Sequence, residues 1–131
     1  MPYVIATNDI INSNIKQYNQ SLTIFILKDG TISYMDIIGV LDHISFENSI
    51  PYDEIREVIT GSNVTSIGVR AFASCSALIS ITINDSIQSI GEWAFAECSE
   101  LRTFAVPNSV KSIGEGIFFD CSRLKSVSIG N

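Results

Sequence analysis

Three cysteines, Cys75, Cys98 and Cys121, stand 23 residues apart, and most residues around them recur at the same interval. The stretch Val64-Thr65-Ser66-Ile67-Gly68 returns as Ile87-Gln88-Ser89-Ile90-Gly91 and as Val110-Lys111-Ser112-Ile113-Gly114. Phe72, Phe95 and Phe118 keep step, as do Leu78, Leu101 and Leu124. A fixed period of this length means a solenoid, because one such unit cannot bury its own apolar face and must stack on its neighbours. A chain built this way is first a surface, and its function is sought on its faces.

Within each unit the apolar positions fall on two short alternating stretches separated by a turn. Leu78-Ile79-Ser80-Ile81-Thr82-Ile83 alternates near its end like a half-buried strand, and so do its counterparts Leu101–Val106 and Leu124–Ile129. Polar turns follow, Asn84-Asp85-Ser86 and Pro107-Asn108-Ser109, whose side chains favour local hydrogen bonds. Gly68, Gly91 and Gly114 end the second stretch, where either a Cβ would clash or φ must be positive. Glu92 to Cys98 reads as one or two helical turns with Ala94, Phe95 and Cys98 facing inward.

The repeat continues upstream in a worn form. Stepping back by 23 places Ile55, Val58 and Thr60 on a rung, and Leu41 and Ile44 on Val64 and Ile67. A further step gives Ile32, Met35 and Ile37, so five rungs are expected, centred near residues 35, 58, 81, 104 and 127. Residues 45–54 lack the Gly, Phe and Cys signature, so their connection should differ from the later ones. Ahead of them, Lys28-Asp29-Gly30 separates two β-rich runs, a hairpin signal. Ile11, Ile15 and Tyr18 at helical spacing predict a short amphipathic helix. The organisation read from this is a cap over 1–31, degenerate repeats over 32–63 and three 23-residue repeats over 64–131, in a single domain. The fold class is a repeat solenoid of the α/β leucine-rich-repeat type, with a parallel strand ladder, short helical turns and an N-terminal hairpin cap; its hand is left open.

The units resemble the BspA-like, or treponemal-type, leucine-rich repeats, whose pattern is Val-x-x-Ile-Gly-x-x-Ala-Phe-x-x-Cys-x-x-Leu-x-x-Ile-x-Ile-Pro. The likeness is close over 64–131 and loose over 32–63. Ile117 departs from the pattern's Ala, and Asn84 and Gly130 stand where the pattern has proline, present only at Pro107. Similar proteins occur on bacterial surfaces and in parasitic protozoa. The resemblance implies adhesion or protein–protein recognition without catalysis.

The totals set further limits. At 131 residues, 46% of them apolar, the chain has enough for one continuous core. No apolar run is long enough for a membrane helix, so no membrane insertion is expected. The opening Met1-Pro2-Tyr3-Val4-Ile5-Ala6 does not read as a signal peptide; the expected location is cytoplasmic, with the cell surface or unconventional secretion as the alternative. The net charge of −6, without a basic patch, makes a poor nucleic-acid binder.

Candidate chemistry yields to packing at most positions. Adjacent coils bring equivalent atoms within about 5 Å, but stacked side chains run parallel while a disulfide needs convergent Cβ vectors. The cysteines lack zinc-type spacing or matching histidines and read as a buried, reduced ladder. No metal or cofactor site is found. The phenylalanine column is an internal spine, and Phe119, where Ala73 and Ala96 stand in earlier units, is expected to be partly exposed. Trp93 shares its column with Arg70 and Gly116, so it is either a contact residue or packing. His43, the only histidine, has no converging nucleophile and orienter and reads as a surface residue. Asp53 and Glu54 belong to a solvated turn. The glycosylation triplets at Asn19, Asn63 and Asn84 read as accidental. No catalytic residues are assigned.

The more informative surface is the open strand face. Alternation sends Leu78, Ile81 and Ile83 inward and Ser80 and Thr82 outward. One outward column is Glu57, Ser80, Thr103 and Ser126; another is Ile59, Thr82, Ala105 and Ser128; a third is Arg56, Ile79, Arg102 and Lys125. These residues either bind a protein partner or merely solvate a sheet. The expected function is a non-catalytic protein-recognition module. Its alternatives are an accessory or regulatory subunit docked to a catalytic partner, a self-assembling coil, and a cell-surface adhesin. The last rung, Leu124 to Ile129, keeps the apolar pattern of the interior rungs, and Val127 and Ile129 are expected to mediate edge association, most simply as a two-fold dimer.

Overall fold

The computed structural model describes the backbone of residues 3–6 and, in full, residues 20–130. The helix expected around Ile11, Ile15 and Tyr18 lies outside the described residues. Two parallel ladders run along the molecule. One consists of two paired segments, β5 (Ile55–Ile59) with β7 (Ser80–Thr82) and β9 (Thr103–Val106) with β11 (Ser126–Ile129), joined where the Arg102 amide donates to the Ile79 carbonyl at 3.3 Å. The other is formed by β4 (Gly39–Leu41), β6 (Val64–Ile67), β8 (Ser89–Ile90) and β10 (Ser112–Ile113). Register follows the period: Val58 pairs with Ile81 and Phe104 with Val127, while Ile67 pairs with Ile90 and Ile90 with Ile113. The chain is therefore a β-solenoid, as the periodicity requires.

The ladder has four rungs rather than five. The segment near residue 35 is not a rung but the second strand of the hairpin between β2 (Thr23–Leu27) and β3 (Ile32–Met35), paired antiparallel. β2, not β3, lies beside β5, also antiparallel, and β1 (Tyr3–Ala6) adds to the far side of β3. The hairpin turns at Gly30, which has φ of 88°. Its Asp29 side chain accepts from the Thr31 N–H at 2.9 Å.

The core lies between the two ladders, and a phenylalanine stack runs along it. Phe72 and Phe95 are fully buried, with ring centroids 5.5 Å apart and planes within 7°. Phe118 follows Phe95 at 6.4 Å. Upstream the stack continues through Phe46, 5.5 Å from Phe72, to Phe25, 5.2 Å further. Phe46 and Phe72 are 26 residues apart, not 23. The first coil holds three more residues between its phenylalanine and Ile55 than the next coil holds between Phe72 and Leu78. As a result Leu41, not Ile44, pairs with Ile67, and Ile44 is 68% exposed. The extra length lies between Phe46 and Ile55, in a connection that contains a 3-10 turn, Tyr52–Glu54; ahead of it a short helix, His43–Phe46, is closed by a capping box between Asp42 and Ser45.

In the later coils the connecting segments are hydrogen-bonded turns, where the sequence reads as helical. The N–H groups of Arg70, Phe72 and Ser74 donate to the carbonyls of Glu92, Ala94 and Ala96 at 2.7–3.0 Å. Those of Trp93, Phe95 and Glu97 donate in the same way to Glu115, Ile117 and Phe119. Backbone donors that reach the next coil do not close i to i−4 turns, yet none is left unpaired. Positive φ at Arg70 (56°), Ser74 (62°), Trp93 (59°), Glu97 (61°), Gly116 (66°) and Asp120 (56°) aims them. Gly68, Gly91 and Gly114 serve close approach and do not have positive φ. A Cβ on Gly91 would stand 2.6 Å from the Val69 amide nitrogen of the preceding coil.

The polar turns bridge coils as well as closing locally. Ser86 and Ser109 hydroxyls donate to the Val64 and Ile87 carbonyls at 2.6 and 2.7 Å, and Asn84 reaches the Thr60 and Gly61 carbonyls.

Candidate functional site

The strand face stands where alternation puts it. Glu57 pairs with Ser80 and Ser126 with Thr103, Ile59 with Thr82 and Ser128 with Ala105. Thr82, Thr103, Ala105, Ser126 and Ser128 are exposed, while Arg56, Glu57, Ile59 and Ser80 are half-buried. The third column is also in register, since the amides of Ile79, Arg102 and Lys125 donate to the carbonyls of Arg56, Ile79 and Arg102. Its charges are partly engaged: Arg56 meets Glu57 at 3.3 Å, and Glu100 meets both Arg102 at 3.6 Å and Arg123 at 3.2 Å. Exposed pairs of this kind contribute about 0–1 kcal/mol each and serve pattern more than stability.

Over the hairpin the same sheet face turns apolar. Ile24 and Ile32 are buried there, packed with Ile26, Tyr34 and Ile59. The face thus has an apolar half on β2, β3 and β5 and a hydroxyl half on β7, β9 and β11. The alternation Ile24, Ile26 against Phe25, Leu27 carries that signal in the sequence.

At the far end β11 is exposed throughout, with Val127 at 41% and Ile129 at 73%, beside Ile113 at 45%. Phe118, Cys121 and Leu124 are only partly buried behind it.

The third side is made of the turns. Trp93 is half-buried, with the Arg70 guanidinium 5.7 Å from its ring centroid on one neighbouring coil and Gly116 against its six-membered ring on the other. Phe119 lies edge-to-face with it at 5.5 Å and is 53% exposed. A groove of about 550 Å3 opens between the short helix and the second coil, lined in part by His43, Glu47, Tyr52, Arg70 and Ser74. His43 is a surface residue facing Glu47 at 3.6 Å. The Ser74 hydroxyl donates to Glu97 at 2.8 Å, so no serine–histidine pair forms in this groove.

Cys75 and Cys98 are core, and Cys121 in the last coil is half-buried. All three are free, and the Sγ atoms of Cys98 and Cys121 approach the Phe72 and Phe95 carbonyls at 3.1 Å. Burial, with a smaller contribution from Asp53, pushes the Cys75 thiol up to about 12. Burial raises Cys98 and Cys121 too. A thiol held neutral in this way is inert at physiological pH. Among the described residues no cluster of His, Cys, Asp and Glu suits a metal ion, and no helix is long and apolar enough to cross a membrane.

A four-coil parallel solenoid with a cysteine and a phenylalanine column defines a leucine-rich-repeat protein. The family described as BspA type leucine rich repeat region (6 copies) matches residues 44–131, and the chain belongs to it. The fold is similar to a leucine-rich repeat protein of T. pallidum, with a TM-score of 0.50 and 27% identity over 71% of this chain and 52% of that one. It is also similar to a leucine-rich repeat protein of Bacteroides ovatus, with a TM-score of 0.51 and 25% identity over 80% of this chain and 31% of that one. The chain spans about half and about a third of the length of these two structures. No curated protein sequence matches it.

Proposed function

We propose that the chain is a non-catalytic protein-recognition module that binds its partner on the hydroxyl half of the strand face. The observation that carries this reading is the pair of outward columns at one-period spacing, Ser80, Thr103 and Ser126 beside Thr82, Ala105 and Ser128, with Thr103 paired to Ser126 and Ala105 to Ser128. They lie beside the column that carries Arg102 and Lys125, and all of them but the half-buried Ser80 are exposed. Regular ladders of this kind form extended binding surfaces in repeat proteins. Replacing both Arg102 and Thr103, as Arg102→Glu with Thr103→Arg, leaves the core untouched. It should abolish co-purification of partners recovered with the wild-type chain. Unchanged recovery of every partner would remove the strand face from consideration.

The exposed pair Val127 and Ile129 supports a second property of the same module, self-association along β11. Light scattering should then show dimers that dissociate on Val127→Lys with Ile129→Lys. A monomer at micromolar concentration before any substitution would end this reading.

A further inference from the structure

The turn side carries two departures from the repeat that the coil itself does not need, and the fold brings them together. Trp93 occupies a column that Arg70 and Gly116 fill in the neighbouring coils, all three at positive φ, so the coil requires the turn there but not the indole. Phe119 occupies a column in which Ala73 and Ala96 suffice. Their rings meet edge-to-face at 5.5 Å, and Phe119 remains 53% exposed. Large aromatic side chains at positions where the coil accepts arginine, glycine or alanine point to a use outside the core.

Charge decides which use. Four exposed carboxylates adjoin the two columns in sequence: Glu92 and Glu115 precede the Trp93 column, and Glu97, whose carboxylate accepts from the Ser74 hydroxyl, and Asp120 follow the Phe119 column. The Glu115 carbonyl accepts from the Trp93 amide, and the Phe119 carbonyl accepts from Glu97, which ties these residues to adjoining coils. None of the four is in an ion pair among the described residues. The one cation on this column, Arg70, already sits over the indole at 5.7 Å, so a guanidinium against an aromatic ring is the contact this side makes internally. The face of Phe119 offers the same contact to a visitor, with carboxylates to neutralise it.

We propose that Phe119, braced by Trp93 and with Glu92, Glu97, Glu115 and Asp120 adjoining the two columns, docks a basic segment of a partner protein, an arginine or lysine side chain lying on the Phe119 ring. This site is on a different side of the solenoid from Thr103 and Ser126, so the two surfaces stand or fall separately.

The single tryptophan reports on it directly. Titrating the full chain with an alternating Arg-Gly peptide should shift Trp93 emission saturably, whereas a Glu-Gly peptide of equal length should not. Phe119→Ala should weaken the Arg-Gly peptide about fivefold or more. Glu115→Gln with Asp120→Asn, which alters charge without altering shape, should weaken it as well and decides the matter if Phe119→Ala perturbs folding. Asp53→Asn with Glu54→Gln removes the same charge from an exposed turn elsewhere and should leave affinity unchanged. The proposal is overturned by the absence of a saturable change. It is equally overturned by unaltered affinity in the Glu115 and Asp120 variant, or by equal losses in the two charge variants.

Discussion

Phe95→Ala should destabilise the protein by about 3–5 kcal/mol and lower its melting temperature by on the order of 10 °C. Phe95 has no exposed surface and touches rings on both neighbouring coils and across the core: Phe72 at 5.5 Å, Phe118 at 6.4 Å and Phe104 at 4.9 Å. Removing the ring leaves a cavity that the coils cannot close, because their separation is fixed by backbone hydrogen bonds on every side. Phe118→Ala, at a partly buried position, should cost distinctly less. Thermal and urea denaturation of the two variants gives the comparison. A marginal change for Phe95→Ala, or equal changes for both, would contradict a continuous stack.

Gly91→Ala is the second large effect. The added methyl would lie 2.6 Å from the Val69 nitrogen and 2.7 Å from the Gly68 carbonyl carbon, both backbone atoms of the preceding coil. Neither can swing aside as a side chain does. The strain of overpacking, about 1–3 kcal/mol in most cores, should reach or exceed the top of that range here. Gly68→Ala is the milder comparison: its nearest obstacles are the Asp42 Cβ at 2.9 Å and the Val40 Cγ1 at 3.1 Å, both farther than the backbone atoms that face Gly91. Denaturant midpoints should fall clearly further for Gly91→Ala than for Gly68→Ala. The reverse order would mean that the glycine column does not set the spacing between coils.

What was legible in the sequence is what it repeats. The Gly, Phe, Cys and Leu columns occur three times in register over 64–131, and each lies where that register puts it. The hairpin at Asp29-Gly30 was legible for a different reason, the local demand for positive φ. The first coil escapes the 23-residue step because three extra residues after Phe46 stretch the period to 26. A constant step of 23 therefore put exposed Ile44 in the core and counted a hairpin strand as a rung. Alanine-rich composition suggested helix in the connecting segments, but donors drawn to the next coil override local propensity.

The candidate site divides along the same line. Alternation placed Ser80, Thr82, Thr103, Ser126 and Ser128 outward correctly, since period two is a backbone property. The apolar half of that face depends on how the hairpin docks against β5, which no local pattern states. The pairing of Trp93 with Phe119 stayed hidden because it arises only when two unrelated columns from successive coils come side by side.

The account rests on parallel, in-register rungs one period apart, and nuclear Overhauser contacts on the labelled protein test that most directly. Backbone contacts should join Ser126 to Thr103, Val127 to Phe104 and Ser128 to Ala105 in the parallel pattern, with Phe72 and Phe95 ring protons in mutual contact. A register shifted by one residue, or an antiparallel pattern between these strands, would contradict the solenoid and every surface derived from it.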